Sequence, residues 1–158
     1  MRIKYRISIV NQQIEPMTNT EFTIRVLVAL LAGFIIGFER QWHHKSAGLR
    51  TNTLVAVGSA LYVLLSIMII HPTGDITRVI GQVVTGIGFL CAGVIFREGI
   101  SVHGLTTAVT IWCSSAIGCL AAAGYFVETF IATFLILAVN WVLKPIDNWL
   151  TNRKKDEK

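Results

Sequence analysis

The stretch LTTAVTIWCSSAIGCLAAAGYFVETFIATFLILAVNWVL, residues 105–143, decides the fold. Its only charged residue is Glu128, and it is long enough for two membrane spans of roughly 17 to 25 residues each, provided the chain turns at Gly124-Tyr125. Three shorter apolar runs precede it, Phe22 to Phe38, Leu54 to Ile70 and Val79 to Phe96. Composition agrees: 53% of the 158 residues are hydrophobic, and the mean hydropathy of +0.62 exceeds what a soluble domain of this size can hide. Charged residues, 15% of the chain, gather at the ends and in short clusters. The reading is an all-α, polytopic transmembrane helical bundle of about five spans, embedded in a lipid bilayer.

The breaks between runs are Glu39 to Thr53, the turn signal His71-Pro72-Thr73-Gly74, and Arg97 to His103. Ala29, Gly33 and Gly37 recur every four residues on the first run, as do Ser114, Gly118 and Ala122 on the fourth. Small residues at that spacing form a smooth stripe on which another helix can pack closely. The third run is rich in glycine, with Gly81, Gly86, Gly88 and Gly93. That is costly in a water-exposed helix but tolerated in a packed transmembrane one, so the third helix is expected at the centre of the bundle. Arg25 is expected to snorkel toward water. Trp141 and Trp149 suit an interface, and Trp112 suits a packing anchor.

With five spans and the C-terminus inside, Arg40, Lys45, Arg50, Arg97, Lys144, Arg153, Lys154, Lys155 and Lys158 are cytoplasmic, against Arg2, Lys4, Arg6 and Arg78 outside. The positive-inside rule therefore favours N-out, C-in. A four-span alternative, with the last two helices as one long or re-entrant element, spoils that bias. No cleavable signal is expected, because residues 1–21 are largely polar and the first run ends in Glu39-Arg40-Gln41. The tail Arg153 to Lys158 is expected to stay unfolded. The net charge of +5 orients the protein in the bilayer and does not indicate nucleic acid. Cys91, Cys113 and Cys119 are odd in number, lie within apolar runs and show no CxxC spacing, so they read as small buried residues.

Charges abut two helix ends at Gly37-Phe38-Glu39-Arg40-Gln41-Trp42 and Ala47-Gly48-Leu49-Arg50-Thr51-Asn52. Glu39, Arg40 and Arg50 can meet there as topology anchors. Alternatively, Arg50, Thr51 and Asn52 face a cavity between helices. The pair Arg97-Glu98, with Gly99 and His103, falls on the same side, either as a solvated turn or as part of one polar surface. Thr106, Thr107 and Thr110 can return hydroxyl bonds to helix carbonyls. A magnesium site would recruit carboxylates on one side; Glu39 and Glu98 can share a side, but Asp75 is expected on the other. His43 and His44 read as interfacial residues. No metal site and no cofactor is expected, and no P-loop, nucleophile elbow or HExxH motif specifies catalysis.

Taken in order, the loop Glu39-Arg40-Gln41, AGLRTN at 47–52, Asp75 followed by Arg78, GIGFLCAGVIFREG at 86–99, GLTTA at 104–108 and Trp112-Cys113 resemble the signature of the MgtC/SapB family. The resemblance spans roughly Gly33 to Gly124. It assigns residues 22–145 to an MgtC/SapB-like membrane domain, between a polar N-terminal segment and a charged cytoplasmic tail at 146–158. It implies a multi-pass protein of the bacterial inner membrane, associated with growth at low magnesium, acid stress and survival inside hosts. Carried over by position, its candidate functional residues are Glu39, Arg40, Arg50, Thr51, Asn52, Asp75, Arg78, Arg97, Glu98, Thr107, Trp112 and Cys113; the helix-packing set is Ala29, Gly33, Gly37, Gly86, Gly88, Gly93 and Gly118. Cys91 stands where GFLGAG has glycine, and Thr106 where some regulatory members have Asn. The sequence ends after its last hydrophobic segment, so the resemblance concerns the membrane domain of the longer members.

The leading functional expectation is a regulatory membrane protein rather than an enzyme. It would self-associate or bind other membrane complexes through its small-residue faces. The competing expectation is a small transporter or channel for an ion such as magnesium, with a polar route lined by Glu39, Arg50, Asp75 and Arg97.

Overall fold

A computed structural model describes residues 17–69 and 75–156, with side chains through Pro145. The turn at His71 to Gly74 and the segment 1–16 lie outside the described residues. Helix α1 (Asn19–Trp42) starts at a capping box: the Thr18 hydroxyl accepts from the Glu21 N–H, and the Glu21 carboxylate accepts from the Thr18 N–H, both at 3.2 Å. Two of the free donors at the helix start are thereby satisfied. Helix α2 (Leu49–Ile69) follows a short connection, and α3 (Ile76–Val94) begins where the Asp75 carboxylate caps the Thr77 N–H at 2.9 Å. Helices α4 (Leu105–Ala122) and α5 (Phe126–Asp156) are separated by Gly124, whose φ of 85° closes the turn read from Gly124-Tyr125. These five helices, among the described residues, are long and apolar enough to cross a membrane.

Helices α1, α2 and α4 make the centre. The backbone of α2 around Ala56 is held between two glycines, Gly33 of α1 and Gly118 of α4. A Cβ on Gly33 would lie 2.8 Å from the Ala56 Cβ, and one on Gly118 would collide with the Ala56 carbonyl oxygen. Near the other end of the same crossing, a Cβ on Gly37 would lie 2.7 Å from the Leu49 Cα. The small-residue stripes of the first and fourth runs are thus consumed inside one chain, where close approach replaces lipid contact with dispersion contact. One buried cluster joins Ala29, Ala60, Val63, Leu64, Ala121 and Ala122, and another joins Ala32, Ile36 and Ile117 beneath Ile136 and Leu137 of α5.

Helix α3 is peripheral, contrary to its expected central position. It leans chiefly on α4, and Ile87 is its only buried residue. A Cβ on Gly81, Gly86, Gly88 or Gly93 would meet nothing within 4 Å. Glycine permits close approach but provides no attraction of its own, so glycine content does not choose which helix is enclosed.

Two further differences concern the connections. The break at Arg97 to His103 is a hairpin in which β1 (Phe96–Glu98) pairs antiparallel with β2 (Ser101–His103), with Arg97 opposite Val102. Gly99 takes φ 59° at the first position of the two-residue turn, a conformation glycine adopts without steric cost. Helix α5 continues through Pro145 to Asp156, so the boundary drawn at 145 falls inside a helix and most of the charged tail is helical.

A polar seam inside the bundle and a carboxylate on its flank

Apolar faces bring α1, α2 and α4 together, and polar side chains are trapped between them. In lipid each must find a partner within the protein. Asn52 is fully buried in the first turn of α2: its Nδ2 donates to the Ala47 carbonyl at 3.0 Å and the Gly48 carbonyl at 2.9 Å. Its Oδ1 accepts from the Ser114 hydroxyl of α4 at 2.9 Å, and Ser114 also lies 3.0 Å from the Thr110 carbonyl. Two turns along α2, and next to Ser114 on α4, the Ser59 and Ser115 hydroxyls are 2.7 Å apart. The Asn52 amide therefore fixes both the start of α2 and its register against α4.

Arg40, in the last turn of α1, is 2% exposed. Its Nη2 donates to the Thr107 hydroxyl in the first turn of α4 at 3.1 Å, and its Nε has no hydrogen-bond partner. Arg25 does the corresponding work at the opposite end. Its Nη1 donates to the Ala122 carbonyl at 2.7 Å, placing a cation on the negative C-terminus of α4. Snorkelling to water was the expectation for Arg25. The free carbonyls at the end of α4 are a nearer acceptor, and only the packing of α1 on α4 makes them available.

Glu39, adjacent to Arg40 in sequence, points the other way. Its Oε1 is 3.0 Å from Nδ1 of His43 one turn on, and its Oε2 accepts from Nδ2 of Asn140 on α5 at 3.3 Å. His43 Nδ1 is also 3.0 Å from the Glu39 carbonyl. Glu39 and His43 thus line the flank between α1 and α5, in an apolar cavity of about 710 Å³.

The candidate residues separate into distinct places. Asn52, Arg40 and Thr107 are buried in the seam. Arg50 and Thr51 are exposed on the outer face of α2, so the arrangement does not gather Glu39, Arg40 and Arg50, and Asn52 alone of the 50–52 triplet enters the interior. Arg97 and Glu98 are exposed on the hairpin, with Arg97 Nε donating to the Gly99 carbonyl at 2.8 Å. Asp75 and Arg78 are exposed at the start of α3. The Thr77 hydroxyl at 2.6 Å, then the Thr77 N–H, hold the Asp75 carboxyl below its ordinary range, with Arg78 adding to the effect. Trp112 is half exposed and is no buried anchor, while Cys113 is partly buried beside it. Cys91 donates to the Ala108 carbonyl at 3.1 Å, filling the place where the related pattern has glycine. Among the described residues, no three His, Cys, Asp or Glu side chains are grouped to hold a metal. Sequence reading passed over Ser59, Ser115 and Asn140, small polar residues in apolar runs that carry no motif.

Five lipid-compatible helices around a hydrogen-bonded polar seam make this a multi-pass helical membrane protein. The sequence profile of the MgtC family matches residues 26–149, and the chain belongs to that family. It is 54% identical over 118 residues to protein MgtC of Brucella abortus, covering 75% of this chain and 49% of the relative. Protein MgtC of Salmonella typhimurium is 48% identical over 130 residues, 82% of this chain and 55% of the relative. An uncharacterized protein of Synechocystis is 44% identical over 133 residues, 84% of this chain and 56% of the relative. The chain spans about half the length of these curated relatives. No solved structure gives a significant match.

Proposed function

We propose that this protein is a regulatory or stress-adaptation factor of the bacterial inner membrane, linked to low magnesium, acid stress or host survival, which acts by associating with membrane partners, including a second copy of itself. The family supports the physiological part of this reading. The outward glycine face of α3 carries the mechanistic part: Gly81, Thr85, Gly88 and Ala92 follow one another at spacings of four, three and four residues, and all are exposed. A second transmembrane helix laid along this seam would gain the close contact that Gly33 and Gly118 already provide within the chain. The charge distribution supports an N-out, C-in orientation.

The test is energy transfer between labelled copies in vesicles, together with growth of the host at low magnesium, for Gly81→Leu combined with Gly88→Leu. Loss of both association and the growth phenotype, with insertion unchanged, is expected. Full retention of both would refute the reading. A transporter reading draws on the buried row of Asn52, Ser114, Ser59 and Ser115 as its polar route. It requires solute flux through vesicles of purified protein that falls with Asn52→Ala, and vesicles without flux would dismiss it.

A further inference from the structure

The flank between α1 and α5 combines three features found together at no other described cavity. Four exposed aromatic side chains, Phe38 and Trp42 from α1 with Phe134 and Trp141 from α5, line an apolar cavity of about 710 Å³, a size typical of small-molecule sites at roughly 300 to 1,000 Å³. A carboxylate, Glu39, sits in its wall. That carboxylate has no permanent cation hydrogen-bonded to it among the described residues: the neighbouring Arg40 turns inward to Thr107 and acts on Glu39 only through space, Asn140 is neutral, and His43 contributes charge only when protonated. A carboxylate at a membrane boundary without a directly bonded permanent cation is costly, and a cation framed by aromatic faces is the complementary ligand.

We infer that this groove binds one glycerophospholipid with a primary-ammonium headgroup, the phosphatidylethanolamine type, with Glu39 accepting from the ammonium. The groove opens sideways into lipid, so its occupant comes from the bilayer and lays an acyl chain against Phe134 and Leu137. A primary ammonium offers three N–H donors to Glu39 and the ring faces of Trp42 and Trp141. A trimethylammonium headgroup offers none, and an anionic headgroup meets the carboxylate's repulsion. Lys144 lies one helical turn beyond Asn140 and two beyond Leu137, on the same side of α5, where its flexible chain can reach the lipid phosphate.

The experiment uses the full chain carrying Trp112→Phe and Trp149→Phe, so that Trp42 and Trp141 alone report fluorescence. It is reconstituted in phosphatidylcholine vesicles into which brominated phosphatidylethanolamine, phosphatidylcholine or phosphatidylglycerol is titrated as a quencher. The expected result is about two- to five-fold tighter quenching by the ethanolamine lipid, the range for one partly exposed charge pair, with the preference abolished by Glu39→Gln. Equal quenching by the three lipids, or a preference for phosphatidylglycerol, would overturn the inference even if the variant failed to insert. A preference that survives in a well-inserted Glu39→Gln protein would overturn it as well.

Discussion

Replacing Gly37 and Gly86 by alanine, one at a time, makes the same chemical change in two helices and should move stability in opposite directions. At Gly37 the new methyl carbon would sit 2.7 Å from the Leu49 Cα and 2.8 Å from its carbonyl oxygen, both backbone atoms. Ordinary contact begins near 3.4 Å, so α1 and α2 must part by about 0.7 Å, and overpacking of this kind costs roughly 1 to 3 kcal/mol. Alanine returns up to about 1 kcal/mol of helix propensity. The expected net change is a loss of up to about 2 kcal/mol. At Gly86 the methyl group meets nothing within 4 Å, so the propensity term stands alone and the protein should gain roughly 0.5 to 1 kcal/mol. Reversible unfolding in mixed micelles of rising dodecyl sulfate fraction, followed by circular dichroism at protein concentrations low enough for monomers, reads both changes. Midpoints that shifted equally and in the same direction would refute the distinction between an enclosed α1 and a peripheral α3.

Three further outcomes follow from the side-chain contacts. A double-mutant cycle of Asn52→Ala and Ser114→Ala, measured in the same micelles, should give a coupling of about 0.5 to 1.7 kcal/mol, the range for hydrogen bonds between transmembrane helices; additive losses would mean that the pair is not formed. Arg25→Ala should destabilise by about 1 to 2 kcal/mol through loss of the charged bond to the Ala122 carbonyl, and Arg25→Lys should recover part of it; a silent alanine variant would restore the snorkelling picture. Because the Asp75 carboxyl is held low, its cap on α3 is fully present above the ordinary carboxylate pKa of about 3.9 and is lost as pH falls through the lowered value. Amide exchange in the first turn of α3 should therefore speed up only in strong acid, and Asp75→Asn should flatten that dependence.

The helices were legible because each is a property of a contiguous segment: apolar length, a turn residue such as Gly124, and flanking charge. Ala29, Gly33 and Gly37 were also legible as a packing stripe, and Gly118 as part of another. Gly86, Gly88 and Gly93 have no packing partner among the described residues, since spacing describes a surface and leaves its partner unnamed. Among the candidate site residues, Asn52 and Arg50 are two positions apart and both polar, yet one is sealed against Ser114 and the other faces outward. Helical rotation of about 200° over two residues separates them, and no motif states which face meets α4. Glu39 and Arg40 are neighbours that lie on different sides of α1 for the same reason.

The sequence by itself determined a multi-span helical membrane protein of the MgtC type, because hydrocarbon demands long apolar segments that satisfy their own backbone, a requirement each segment meets or fails alone. Only the tertiary structure decided that α1, α2 and α4 enclose Ala56, that α3 presents its glycines outward, and that Glu39 stands in an aromatic groove beside Asn140. Lipid solvates every apolar helix face about equally well, so the choice among faces falls to steric fit and a few hydrogen bonds between residues far apart in the chain.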